Sequence, residues 1–186
     1  TATINNSTIS GNQAGYGGGL YSQTAVSGLS ISNSTISGNR VYRNGGGLVT
    51  LSVTTISNST ISGNQSGNRG GGFFRYRGTL ATINNSTISG NRADRAGGVY
   101  SIGDLIVSNS TIAFNTSDQA QTSQQLRAAG LDILGSTLTL NSTIIANNRA
   151  AGEASDLSYR DSNGAMRTSA FAGSKNLIVA RNLGLQ

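Results

Sequence analysis

The stretch Asn58-Ser59-Thr60-Ile61-Ser62-Gly63-Asn64 decides how this chain is read, because it recurs. The same seven residues stand at Asn6–Asn12, Asn33–Asn39 and Asn85–Asn91. Decayed copies occupy Asn109–Asn115 and Asn141–Asn147, with a faint echo at Asn176–Asn182. Successive starts lie 27, 25, 27, 24, 32 and 35 residues apart. A period in the mid-twenties is that of a solenoid, in which each repeat is one coil that buries its apolar side only against its neighbours.

Working outward from Asn58 yields the coil. Upstream, Thr54 and Ile56 alternate with Thr55 and Ser57, the period of a strand with one buried face. Ile56 and Ile61 would fall on opposite faces of a continuous strand, so a corner is needed near Asn58. Asparagine tolerates the left-handed backbone that a tight corner demands. A second strand, Ser59–Ser62, points Ser59 and Ile61 inward and Thr60 and Ser62 outward. Gly63-Asn64 makes the second corner, a polar loop follows, and Gly70–Gly72 leads into a third strand at Phe73. The predicted fold is all-β: a single parallel β-helix of about seven coils, three short strands in each. Strand spacing near 4.8 Å makes that a rod of roughly 33 Å.

Stacking places like on like. Ile9, Ile36, Ile61, Ile88, Ile112 and Ile144 form one internal column; Ile4, Ile31, Ile56, Ile83 and Val107 form a second. Leu20, Leu48, Phe73, Val99 and Leu131 form a third. Two asparagine columns run alongside at constant offset: Asn6, Asn33, Asn58, Asn85, Asn109 and Asn141, and Asn12, Asn39, Asn64, Asn91, Asn115 and Asn147. A buried amide left unpaired costs about 1–3 kcal/mol, so both columns are expected to be internal ladders bonded from coil to coil. One domain spans 1–186: regular coils over 1–117, a widened coil with an insertion over 118–130, and irregular closing coils over 131–186. Within the insertion, Gln-rich Asp118–Ala129 reads as a short helix or a protruding loop.

Composition narrows the chemistry. The chain has no Cys, His, Pro or Trp, which removes the thiol nucleophile, the imidazole base and the usual zinc ligands; no cofactor is expected. No apolar run approaches a membrane span. No secretory leader is present, and Thr1–Asn5 already lies inside the repeat, so any leader belongs upstream. The net charge is +6 and unevenly placed. Arg40, Arg43, Arg69, Arg92, Arg95 and Arg149 follow the second corner, and Arg75 and Arg77 flank Tyr76. That edge suits an anionic partner such as an acidic polysaccharide, a lipopolysaccharide or a second copy; the plainer reading is a solvated edge that keeps the rod soluble. No recognised nucleic-acid module is present, so nucleic acid is disfavoured.

Gly17–Tyr21 (Gly-Gly-Gly-Leu-Tyr) followed by Ile31–Asn39 (Ile-Ser-Asn-Ser-Thr-Ile-Ser-Gly-Asn) resembles the right-handed parallel β-helix repeats of bacterial surface and secreted proteins. It is also similar to polymorphic outer-membrane-protein repeats, which pair a glycine-glycine-apolar motif with an Asn-rich one. Ser142–Leu183 resembles the closing coils of such proteins. The resemblance implies a prokaryotic extracellular or cell-surface location and a structural or adhesive role. Fold of this kind also carries polysaccharide enzymes, whose chemistry needs clustered carboxylates. Asp104 and Asp132 fall in neighbouring coils without an obvious second acid beside either, and Glu153, Asp156 and Asp161 share an irregular loop; an enzyme is not expected. A binding module would instead predict a groove near Arg75, Tyr76, Arg77 and Tyr100, taking acidic glycans.

Outward, Thr8, Thr35, Thr60, Thr87, Thr111 and Thr143 should line one face beside Ser10, Ser37, Ser62 and Ser89. By resemblance such an array fits an ice-binding surface; it also fits ordinary β-propensity. Asn-Ser-Thr is a formal glycosylation acceptor, incidental if the asparagines are internal. At the ends, Thr1, Ala2 and Ile4 read as the start of one coil, and Leu183 and Leu185 as a glycine strand left unfinished. Their complementary order leads to the expectation of head-to-tail stacking into a homopolymeric filament.

Overall fold

A computed structural model describes residues 1–23, 28–76, 80–119, 128–135, 137–160 and 173–179. Arg77, Asp161, Asn182, Leu183, Leu185 and most of the Gln-rich insertion lie outside them. The described chain is a parallel β-solenoid, with strands and no helix among the described residues. Each turn contributes one strand to each of four sheets, not three. The first sheet stacks Ala2–Asn5, Leu29–Ser32, Thr54–Ser57, Ala81–Asn84, Leu105–Ser108 and Leu138–Asn141. The second stacks Thr8–Ser10, Thr35–Ser37, Thr60–Ser62, Thr87–Ser89, Thr111–Ala113, Ile144–Ala146 and Leu177–Ile178. The fourth runs from Leu20–Ser22 through Phe73–Arg75 to Leu157–Arg160. Two sheets have six strands and two have seven, so the described residues complete fewer turns than the about seven expected.

The additional sheet is the third, built of two-residue strands such as Gln13–Ala14, Arg40–Val41 and Gln65–Ser66. It occupies what reads in sequence as a polar loop. The second residue of each strand is small and, from Val41 onward, buried: Val41, Ser66, Ala93, Ser117 and Ala150. A small inward residue two positions beyond the asparagine corner is what lets so short a side close the turn.

The corners explain the repeated phrase. Asn6, Asn33, Asn58, Asn85 and Asn109 hold φ between 47° and 50°, a left-handed bend that asparagine adopts at lower cost than most residues. Gly11, Gly38, Gly63 and Gly90 bend the same way five residues later. At the third corner the glycines permit close approach: a Cβ on Gly98 would stand 2.4 Å from the Gly130 carbonyl oxygen of the next turn.

Inside, Ile31, Ile36, Ile56, Ile61, Ile83, Ile88, Ile112, Phe73, Val99 and Leu131 are fully buried in one continuous core. The sixth copy departs from its expected alignment by one residue. Leu138 and Leu140 pair with Leu105 and Val107, so Ile112 faces Ile145 and Thr111 faces Ile144. Ile145, not Ile144, enters the core; Ile144 is 43% exposed on the outside and Thr143 is buried. Ser142, at φ 48°, takes the first corner in place of Asn141, and Asn147, at φ 59°, takes the glycine corner. The apolar pair Leu138/Leu140 outweighs the Asn-Ser-Thr match, because a one-residue slip in a strand exchanges its inner and outer faces.

Phe114 stands at the glycine corner of the fifth turn with φ 58° and 63% of its surface exposed. A bulky residue there carries about 1–2 kcal/mol of left-handed strain and gains little from burial. Phe114→Gly is expected to raise the melting temperature by about 2 °C or more, read by thermal circular dichroism; no change or a fall would show that the ring makes a stabilising contact.

Candidate functional site

A ladder of amides runs the length of the rod at the second corner, through Asn12, Asn39, Asn64, Asn91, Asn115 and Asn148. Asn64 shows the pattern. Its Oδ1 accepts from the backbone N–H and the Nδ2 of Asn39, both at 3.0 Å. Its own Nδ2 donates to the Ile36 carbonyl and to Asn91 Oδ1, also at 3.0 Å. Both lone pairs and both protons of the amide are used, which is why the group tolerates complete burial. The geometry repeats at Asn39, Asn91 and Asn115.

At its far end the ladder changes chemistry. Asn148 donates its backbone N–H and Nδ2 to Asp156 Oδ1 at 2.9 and 2.8 Å. A carboxylate accepts but has no N–H to pass on, so the run of amides stops there. Just before it, Glu153–Ala154 folds back antiparallel onto Arg149–Ala150 and closes the edge of the third sheet. Asn147 is exposed and takes no part in this ladder; the one-residue slip puts Asn148 in its place.

The other asparagine column is not internal. Asn6, Asn33, Asn58, Asn85 and Asn109 are exposed, because a left-handed corner turns the side chain outward. The internal ladder on that side belongs to the following residue. Ser34 N–H donates to Ser59 Oγ, Ser59 N–H to Ser86 Oγ and Ser86 N–H to Ser110 Oγ, each at 3.1 Å. Each hydroxyl returns its own proton two residues back, as Ser59 does to the Ser57 carbonyl at 2.7 Å. Asn141 lies at the end of a first-sheet strand opposite Ser108.

The arginines divide into three groups. Arg40, Arg92 and Arg149 share one outward register on the third sheet, separated by Gln65 and Thr116. Arg92 pairs with Asp118 at 3.0 Å in the open, a contact worth little, and Arg149 donates to the Gly152 carbonyl at 2.8 Å. Arg43, Arg69 and Arg95 sit between the third and fourth sheets. Arg75 belongs to neither: it is fully buried, in register with Thr50 and Ser101 inside the coil, and donates to the Asp104 carbonyl at 2.9 Å. Burial pulls its pKa below the usual arginine value. The strand Phe73–Arg75 continues its alternation, which carries Phe73 and Arg75 to the same inner face.

The outer face of the fourth sheet holds a second apolar cluster of Val49, Phe74, Ala96 and Tyr100. The Phe74 and Tyr100 rings stack at 5.7 Å, and the Arg69 guanidinium lies 5.3 Å from the Tyr100 ring centre. Next in that register is Asp132, wholly buried and paired with Arg160 at 2.5 Å. Burial pushes the Asp132 pKa up, against the opposing pull of Arg160. Asp104 instead receives the Thr137 N–H at 2.9 Å, so each acid is engaged at its own place in the structure. Among the described residues no cluster of three or more acids, His or Cys is placed to hold a metal.

Toward the first turns, this face opens into a groove of about 380 Å³, floored by Val49 and Leu51 and walled by Tyr16, Tyr21, Phe74, Tyr76, Asn44 and Arg69. Tyr16, Tyr21 and Tyr76 remain 40–46% exposed. Arg43 braces the rim, donating to the Tyr16 hydroxyl at 2.7 Å. Of the residues expected around a groove only Tyr76 lines it. Arg75 points inward, Tyr100 is covered, and Arg77 lies outside the described residues. Tyr16, Tyr21, Asn44, Val49, Leu51, Arg69 and Phe74 were not expected there; Tyr16 and Tyr21 flank the first glycine run, where the chain turns onto the fourth sheet.

The threonine row exists on the second sheet as Thr8, Thr35, Thr60, Thr87 and Thr111 in register. Thr143 is not in it. Ile144 and Leu177 continue the row as exposed apolar residues.

A family model for the Chlamydia polymorphic membrane protein repeat matches residues 6–23, from the first asparagine phrase through the first glycine strand. No curated protein and no solved structure gave a match. The chain is a parallel β-helix repeat protein similar to polymorphic outer-membrane proteins. The match covers 18 of the 186 residues and lies within one repeat. No helix among the described residues is long and apolar enough to cross a membrane.

The two asparagine columns should separate on mutation. Asn64→Ala leaves buried donors and acceptors on both neighbouring turns unpaired, a loss of about 3 kcal/mol or more, whereas Asn58→Ala forfeits about 1 kcal/mol of corner preference. Equal losses in urea unfolding would sink the assignment. For the buried ion pair, Asp132→Ala is expected to cost about 3–5 kcal/mol, while the double change Asp132→Leu with Arg160→Met should recover most of it.

Proposed function

We propose that this chain is the rod of a bacterial surface protein with a structural and adhesive role, and that its rods stack head to tail into filaments. The observation that carries the reading is the repeated rung with its paired amide ladder, which can be extended without redesign. From Asn12 to Asn115 each turn meets the next through parallel strand edges, an amide acceptor and apolar columns.

The first rung presents these features unpaired among the described residues. Ala2–Asn5, Thr8–Ser10 and Leu20–Ser22 are edge strands, and Ile4, Ile9 and Leu20 are only partly covered. Asn12 is exposed, and its Oδ1 receives no donor from the described residues. On this reading Thr1, Ala2 and Ile4 would belong to the face that stacks. The opposite end is different in kind: Asp156 and the Glu153–Ala154 strand close the third sheet there. A head-to-tail contact then has to run mainly through the other three sheets.

Electron microscopy of the purified chain over a range of concentrations tests this. Thin unbranched fibres with an axial repeat near 30 Å, from six to seven rungs at about 4.8 Å, are expected, and Ile4→Asp should abolish them by placing a charge in the apolar column. Isolated rods at every concentration, or fibres indifferent to Ile4→Asp, would refute the stacking.

A further inference from the structure

We propose that the groove on the fourth sheet is a binding site for an acidic oligosaccharide, a uronate chain in particular. Three observations converge on that chemistry. The walls are ring faces: Tyr16 and Tyr21 lie 6.3 Å apart at 38°, and Phe74 and Tyr76 lie 6.0 Å apart at 22°. The tyrosines are close to half exposed, each joining an apolar ring to a hydroxyl. A pyranose ring matches such a surface, since it offers a C–H face to the aromatic ring and hydroxyls to the rim.

The second observation is the charge. Arg69 lines the groove, and its Nε is buried without a hydrogen-bond partner among the described residues. Its guanidinium is held over Tyr100 at 5.3 Å, which fixes a planar fork at the groove wall. Arg95 lies near enough to feel Arg69 as a like charge, and the acid of this neighbourhood, Asp132, is already paired with Arg160. The wall therefore keeps unneutralised positive charge in a partly desolvated place, where a carboxylate is favoured and a neutral sugar gains less. The third is rigidity. Val49 and Phe74, in the floor and wall, belong to strands paired on both sides, so this part of the groove is formed before ligand arrives and needs little ordering on binding.

The site differs from the basic edge on the third sheet. Arg40, Arg92 and Arg149 alternate with Gln65 and Thr116 along an outward register and do not line the groove.

The test is titration calorimetry of the intact chain with α-1,4-linked tetragalacturonate, with the uncharged galactose tetramer and with a hexaglutamate peptide. Saturable binding of the uronate is expected, weakened about tenfold or more by Arg69→Gln and by Tyr21→Ser, and unaltered by Arg149→Gln. The galactose tetramer should bind about tenfold more weakly than the uronate. Because Tyr21 is exposed on an edge strand, its serine variant should keep the wild-type melting curve, which separates loss of binding from loss of fold. No binding of the uronate, equal binding of the neutral tetramer, tighter binding of hexaglutamate, or equal weakening by Arg149→Gln would each overturn the proposal.

Discussion

A buried primary amide has four hydrogen-bonding positions, and leaving even one of them unmet is expensive. For Asn39, Asn64, Asn91 and Asn115 the groups that meet them are on the turns before and after. Asn64 is saturated by Asn39 and Ile36 on one side and Asn91 on the other, so its tolerance of burial depends on identical neighbours at one strand spacing. That requirement propagates. It holds the second corner at constant position in each turn and brings Ile36, Ile61 and Ile88 into register. It also leaves little freedom in the residues between the first corner and the ladder.

Freedom survives where the amide column exerts no hold. From one phrase to the next the spacing varies between 24 and 35 residues, and the variation falls after the ladder, around the third and fourth sheets. There the outer surface carries what is particular to this molecule: stacked rings at Phe74 and Tyr100, a buried ion pair at Asp132 and Arg160, and the groove beside Tyr16 and Tyr76. Recognition built on the irregular flank of a regular scaffold follows naturally, because substitutions on that flank leave the column of rungs intact.

The chain's own ordering also sets a polarity. Amides pass the bond pattern along until Asp156, which can receive it but not transmit it. The amide column therefore has a direction, with residues that propagate the pattern followed by one that terminates it. On the same sheet the antiparallel Glu153–Ala154 strand covers the edge of Arg149–Ala150.

The repeat, the parallel β-helix, the three apolar columns and the left-handed corners were legible in the sequence by itself, because strand alternation and backbone sterics are local and act identically in every copy. Tertiary structure decided the rest. Asn58 and Asn64 recur with equal regularity, yet only the folded turn shows that the corner rotates Asn58 outward and leaves Ser59 and Asn64 inside. The Asn-Ser-Thr of the sixth copy matches its predecessors by eye, while the packing of Leu138 and Leu140 on Leu105 and Val107 moves it by one residue. Arg75 reads as a surface charge until its strand register places it beside Thr50 and Ser101. In each case local pattern admits two faces of a strand or bend, and burial against the adjacent turn chooses between them.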